Sequence, residues 1–307
     1  MTKPTNSTVI VGTLCAIGAA VCYGTNPLGA LNLYAEGMNT PSVLFFRFGL
    51  AWVIIAAIMA VKAVSHRESL RVTRRQFLTL TALGVLFILS SLTLYLSFHF
   101  MPAGVASTIL FTYPVMTAVI MLLFFRERLR WPTVAAILLS LVGVLLLYWG
   151  DAEGTLSLTG VILVLVSALT YALYIIVVDK SPLDMSSFKI NFFVLLYCAL
   201  GMAAFSLFSG QPLMLPPTPR AWLWVGWLAV VPAIMALVMM VYAAKYLGST
   251  PTAILGALEP TTAVLIGIFL FGEPFSLRLL MGILLILAAV VIIVLAKNRP
   301  SHDETPA

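Results

Sequence analysis

A single acidic side chain, Glu259, stands well inside an apolar stretch of this sequence, in TPTAILGALEPTTAVLIGIF. An ionised carboxylate among apolar residues is costly unless it is paired, hydrated or protonated. Glu259 therefore faces protein or a wet cavity, and two chemistries fit it. It could hold a proton that exchanges with a solute, or it could pair with an ammonium group; the alternative is a carboxyl hydrogen-bonded across to a neighbouring helix. Gly256 and Thr262, one turn away on either side, extend a small and polar stripe. Pro260 lacks an N–H, which frees a backbone carbonyl about one turn earlier at the same depth.

Arg47 is the one basic residue inside an apolar run, five residues from its start. Its guanidinium could snorkel outward, or act as an inter-helix pair or carboxylate-binding fork. Asn26-Pro27 interrupts the first apolar run three residues after Tyr23, and irregular backbone at such depth is tolerated where it lines a cavity. Ser91, Tyr95 and His99 recur every four residues and suggest a polar cavity wall. Buried tyrosine hydroxyls need partners, and rings with O–H groups suit amphipathic or cationic solutes. The binding or coupling candidates are therefore Glu259, Tyr113, Tyr95, Tyr23, Asn26, Arg47, Tyr171 and Tyr242.

Other chemistries lack their parts. Cys15, Cys22 and Cys198 lie in apolar runs without metal-ligand spacing, so no metal or cofactor is expected. No G-x-x-x-x-G-K-[ST] phosphate loop occurs. The histidines are His66, His99 and His302, and no aspartate lies inside an apolar run. A nucleophile and base within reach of each other are therefore hard to assemble.

The elements that must position these residues follow from composition. Of 307 residues, 62% are hydrophobic and 9% charged, against about 25% charged in soluble domains. A bilayer crossing needs about 20 mostly apolar residues whose backbone groups pair internally. Ten stretches qualify: 9–31, 42–61, 77–98, 103–125, 131–149, 157–178, 190–208, 221–243, 251–271 and 277–296. The fold class is thus all-α and membrane-integral, with the first stretch retained and a polar cytoplasmic tail at 301–307. Trp131, Trp149, Trp222 and Trp224 fall at stretch ends, as interfacial anchors do.

Of the 17 Lys and Arg, fourteen fall on the side of the N-terminus and two, Arg220 and Arg278, on the other. Basic residues are retained in the cytoplasm, so both termini are predicted there. Scattered in short connections, these residues form no face for a nucleic acid. Gly104 to Leu129 aligns with Thr250 to Phe275 at a constant offset of 146, which places Pro114 on Pro260, Glu127 on Glu273 and Tyr113 opposite Glu259. Two repeats result, 1–150 and 151–300. Five crossings in each invert one half relative to the other, with a site expected in a central cavity between them. Glu127 and Glu273 are expected to pair with Arg126, Arg128 or other nearby basic groups.

Tyr23-Gly24, Arg47-Phe48, and the proline followed thirteen residues later by glutamate in both halves resemble the drug/metabolite transporter superfamily, specifically its ten-helix members with two EamA-type repeats. The similarity runs from about residue 10 to 296. It implies secondary transport by alternating access of small organic metabolites: amino acids, nucleobase-like compounds or amphipathic drugs. It further implies export across a bacterial-type inner membrane. Protons are a coupling ion to consider, through Glu259. A passive facilitator or channel and a membrane-integral transferase are the alternatives. The chain could act as a monomer or as a homodimer through the Ser140/Gly143 face.

Overall fold

The structure is a computed structural model that describes residues 6–66, 71–125, 131–149, 157–181, 185–247, 252, 255–256 and 258–297. The tail 301–307, and Glu127 with Arg126 and Arg128, lie outside the described residues. Helices α1 (Asn6–Gly24) and α2 (Asn26–Ala35) form the first apolar span, broken at Thr25. Helices α3 (Thr40–His66) and α4 (Arg74–Ser97) follow. The next span is also broken, into α5 (Ala103–Leu110) and α6 (Tyr113–Phe125). After α7 (Trp131–Trp149), α8 (Leu158–Lys180) and α9 (Ser187–Ser209) comes α10 (Pro219–Val230). It runs through a π-helical turn, Val231–Met235, into α11 (Ala236–Leu247). Helices α12 (Leu258–Phe271) and α13 (Leu277–Lys297) complete the described elements.

Local chemistry sets these boundaries. Thr73 and Gln76 form a reciprocal cap at the start of α4: Gln76 N–H donates to Thr73 Oγ1 (3.3 Å) and Thr73 N–H to Gln76 Oε1 (2.9 Å). Ser157, Ser186 and Thr218 cap α8, α9 and α10 with side-chain oxygens. Pro219 opens α10, where its missing N–H costs nothing.

Seven helical stretches among the described residues are long and apolar enough to cross a membrane: Val9–Ala35, Thr40–Ala60, Arg74–Ser97, Ala103–Phe125, Leu158–Val178, Phe188–Ser209 and Pro219–Met240. Three apolar helices are shorter, Val134–Leu146, Leu258–Phe271 and Leu277–Ile292. Large apolar side chains such as Phe208 (91% exposed) and Leu207 (83%) point outward. A bilayer solvates such a surface; water does not.

Most packing joins elements distant in sequence. Helix α4 packs on α8 and α9, α3 on α9 and α10, α1 on α11 and α12, α5 and α6 on α8, α5 on α12, and α7 on α13. Exchanging each first-half helix for its second-half equivalent maps this set of pairings onto itself. The Ser140/Gly143 face is already used within the chain: a Cβ on Gly143 would meet Ile286 Cγ1 at 2.8 Å, and Ser140 is buried. Helix α13 thus occupies the face the sequence offers for self-association.

Candidate functional site

A cavity of about 430 Å³ opens among α1, α3, α4, α8, α9 and the π-helical turn leading into α11. Its wall is aromatic, built from Tyr23, Phe48, Phe87, Tyr171 and Tyr174, with Asn191 and aliphatic residues of α8, α9 and α11. Among the described residues lining it, Arg47 is the only charged one.

Arg47 sits seven residues into α3, about 10 Å along the helix axis, and its side chain turns inward rather than snorkelling. It is 8% exposed. Nη1 donates to Tyr95 Oη at 2.5 Å, while Nε is buried without a partner. The guanidinium carbon lies 5.4 Å from the ring centroids of both Phe48 and Tyr95. No described carboxylate pairs with it. Glu259, the partner its charge suggests, is not brought to it.

Tyr95 is fully buried and does not line this cavity, and neither do Ser91 and His99, which corrects the expectation of a polar wall from that stripe. The stripe serves helix packing. Tyr95 Oη donates to Asn26 Oδ1 (3.4 Å), and its carbonyl accepts from Tyr34 Oη (3.0 Å). Tyr34 Oη also meets Thr40 Oγ1 at 3.0 Å, and Thr40 meets His99 Nε2 at 3.1 Å. The neighbouring Ser90 also packs between helices: Ser167 Oγ on α8 donates to its carbonyl at 2.7 Å. Asn26, at the break between α1 and α2, returns Nδ2 to the Tyr23 carbonyl (2.8 Å). A relay of orienting contacts therefore runs Tyr23, Asn26, Tyr95, Arg47.

The rings continue the wall. Tyr113 and Tyr171 meet edge to face at 4.8 Å, Tyr171 and Tyr174 stack at 6.0 Å, and Phe87 lies 5.2 Å from Tyr174 and 6.0 Å from Phe48. The hydroxyls of Tyr23, Tyr171 and Tyr174 find no partner among the described residues, yet none is sealed off. They face the cavity.

Glu259 lies at the opposite end of this aromatic tract. Tyr23, Tyr113 and Tyr171 all stand within its electrostatic reach, but it is not part of the cavity wall. Its carboxylate is half-buried and has no hydrogen-bond or ion-pair partner among the described residues. Gly24 brings α1 against it: a Cβ there would meet Glu259 O at 2.6 Å and Thr262 Cβ at 2.5 Å. Thr262 Oγ1 bonds back to the Leu258 carbonyl (2.8 Å), so the stripe around Glu259 packs on α1 instead of opening toward a ligand. The Gly256 carbonyl freed by Pro260 accepts from Glu259 N–H at 2.9 Å.

Two further expectations change. Tyr242 is 47% exposed and pairs with Tyr246 on the outer face of α11, away from the cavity. Glu273 pairs with no arginine among the described residues, outside which Arg126 and Arg128 lie. It accepts N–H groups from Ala103 (2.6 Å) and Gly104 (3.1 Å) at the start of α5. Phe87, Asn191 and the π-helical turn at Pro232 also form the wall, although none is a sequence candidate. A proline inside an apolar run is the only sequence signal for the last of these. Among the described residues no cluster of three His, Cys, Asp or Glu is placed to hold a metal ion.

Comparison with known proteins bears on what such a cavity does. The EamA-like transporter family matches residues 10–149 and 158–295. An uncharacterized transporter of Archaeoglobus fulgidus is 28% identical over 276 residues, which span 89% of this chain and 94% of that protein. An uncharacterized transporter of Clostridium kluyveri is 20% identical over 290 residues, 92% of this chain and 93% of that one. A crystal structure of a protein 19% identical shares the fold, with a TM-score of 0.65 over 93% of this chain and 96% of the other. A match that runs in two stretches over nearly the whole sequence, on a bundle with an apolar exterior, makes this chain a multi-pass membrane transporter of the EamA-like transporter family.

Proposed function

We propose that the protein is a secondary transporter that exports small organic metabolites across the inner membrane by alternating access. In this reading ten crossings form two inverted halves, 1–150 and 151–300, with both termini in the cytoplasm. The observation that carries it is the cavity itself, walled by three consecutive spans of each half. The self-mapping set of helix pairings supports a two-fold relation of the halves, and five crossings in each make that relation an inversion. The distribution of Lys and Arg supports the orientation.

On that orientation the closed end faces outward. Connections of the two halves meet there: Glu273 holds the start of α5, Asn39 Nδ2 donates to the Pro212 carbonyl (2.9 Å), and Met214 N–H to Ser42 Oγ (2.8 Å). Thr218 donates to Glu36 (2.9 Å), which also faces Arg220 at 3.9 Å. Val178, Ile190 and Asn191 line the cavity near the cytoplasmic ends of α8 and α9. In this reading the conformation is inward-facing, ready to take a solute from the cytoplasm.

Glu259 is the coupling residue in this reading, because an unpaired, half-buried carboxylate beside three tyrosines can exchange a proton as the halves move. Uptake of amino acids, nucleobases and amines into proteoliposomes, with and without a pH gradient, tests it. A panel solute should accumulate with the gradient, and Glu259→Gln should abolish that dependence. Flux that equilibrates without accumulating under any gradient would make the protein a facilitator.

A further inference from the structure

Among the described residues, the cavity has a cation with no anion. Arg47 is more than nine-tenths buried, lines the cavity, keeps Nε without a partner, and faces no carboxylate among the described residues. A lone guanidinium inside a membrane-embedded bundle is costly and marks function by default. Its one firm contact, Tyr95, is itself held by Asn26 at the helix break, so the head is oriented and not merely stored. The wall around it combines aromatic rings with aliphatic residues, and its volume lies in the range of small-molecule sites. A single cationic side chain among neutral ones suits a monoanion better than a dianionic phosphate, which asks for more positive charge.

We propose that Arg47 is the anion-binding pole of the cavity. The transported solute then carries a carboxylate that docks on this guanidinium, with an apolar or aromatic body against Phe48, Phe87 and Tyr174. This rests on the transport reading for the word transported; the binding site itself does not depend on it. Arg47 and Phe48 are the lining residues nearest the outer ends of their helix, so on the inward-facing orientation the carboxylate enters head first and stops at the closed end. Arg47 would then be neutralised only when loaded, which makes the empty state the electrostatically expensive one. The solute is either a simple carboxylate or a zwitterionic amino acid, and both present the same group to Arg47.

Isothermal titration of the full-length protein in nanodiscs with 3-phenylpropionate, L-phenylalanine and phenethylamine separates these sources. Either carboxylate should bind the native protein, and Arg47→Gln should weaken that binding by about tenfold or more. Arg47→Lys, which keeps the charge without the fork, should fall between. Binding of 3-phenylpropionate assigns a simple carboxylate; binding of phenylalanine alone assigns an amino acid. If neither carboxylate binds, if phenethylamine binds more tightly than both, or if Arg47→Gln binds them like the native protein, the proposal is overturned. A second measurement needs no variant: phenylglyoxal should modify Arg47, read by peptide mass spectrometry, and the bound carboxylate should protect it where phenethylamine does not. Absence of modification or of protection also overturns it. Arg47-dependent binding without proteoliposome flux would defeat the transport reading and leave this site standing. Arg47-independent flux would do the reverse.

Discussion

The Glu273 carboxylate, in the connection between α12 and α13, accepts the backbone N–H groups of Ala103 (2.6 Å) and Gly104 (3.1 Å) across 170 residues of sequence. It caps α5 from the other half of the chain. The first N–H groups of a helix have no partner within it, and they carry the positive end of its dipole. A carboxylate satisfies both. Gly104 and Gly267 make room for it, since a Cβ on Gly267 would overlap the Glu273 carboxyl.

Glu273→Ala removes this cap and should lower stability by about 1–2 kcal/mol. Glu273→Gln, which keeps one acceptor oxygen, should lose less. Thermal unfolding in nanodiscs ranks the three proteins, and an Ala variant as stable as the native chain would show that the contact contributes nothing.

The same group predicts a pH dependence. Burial raises the Glu273 carboxyl above the ordinary carboxylate range, while hydrogen bonds from Gly104 and Ala103 pull it back. With the folded value raised, the native state holds the proton more tightly than the unfolded chain. The associated stability is fully present below the ordinary value and is lost as pH rises through the raised one. Melting curves between about pH 4 and 7 should show this fall for the native protein, and Glu273→Gln should flatten that component.

Gly104→Ala should destabilise by about 1–3 kcal/mol, because its Cβ would stand 2.8 Å from Val264 Cα, a backbone atom that cannot swing away. Gly49→Ala in α3 is the matched control. A Cβ there meets nothing within 4 Å, so improved helix propensity should leave it neutral or more stable by up to about 1 kcal/mol. Equal melting temperatures for the two variants would contradict the close approach of α5 to α12.

Tyr95→Phe deletes the acceptor of Arg47 Nη1 and leaves a buried donor unpaired, at a cost of about 1–3 kcal/mol. The phenyl ring still fills the same space, so packing of α4 on α8 should persist. Loss of stability without loss of helix content by circular dichroism is the expected pair of readings; a variant as stable as the native protein would mean that the hydrogen bond has no net worth.

Some of this is legible in one sequence and some is not. The spans are legible because hydrocarbon forces backbone groups to pair within a segment, so crossing segments announce themselves as long apolar runs. The repeat is legible because Pro114 and Pro260 recur with their glutamates at one spacing. That Glu259 and Arg47 are candidates follows from the cost of charge in an apolar run, which needs no coordinates.

Rotation and depth are decided by tertiary packing alone. A helix that is apolar all round carries little record of which face meets its neighbours, so Tyr242 and Tyr171 read alike until packing turns one outward and the other into the cavity. Depth separates Glu259 from Arg47: close contact of Gly24 with α12 puts the carboxylate behind Tyr23, while the Tyr95 hydrogen bond draws the guanidinium into the wall. The sequence by itself determined a membrane bundle of repeated halves with two costly charges inside it, since burial of charge and length of apolar run are local properties. Only the tertiary structure decided that Arg47, and not Glu259, lines the cavity, because that depends on how helices distant in sequence rotate against one another.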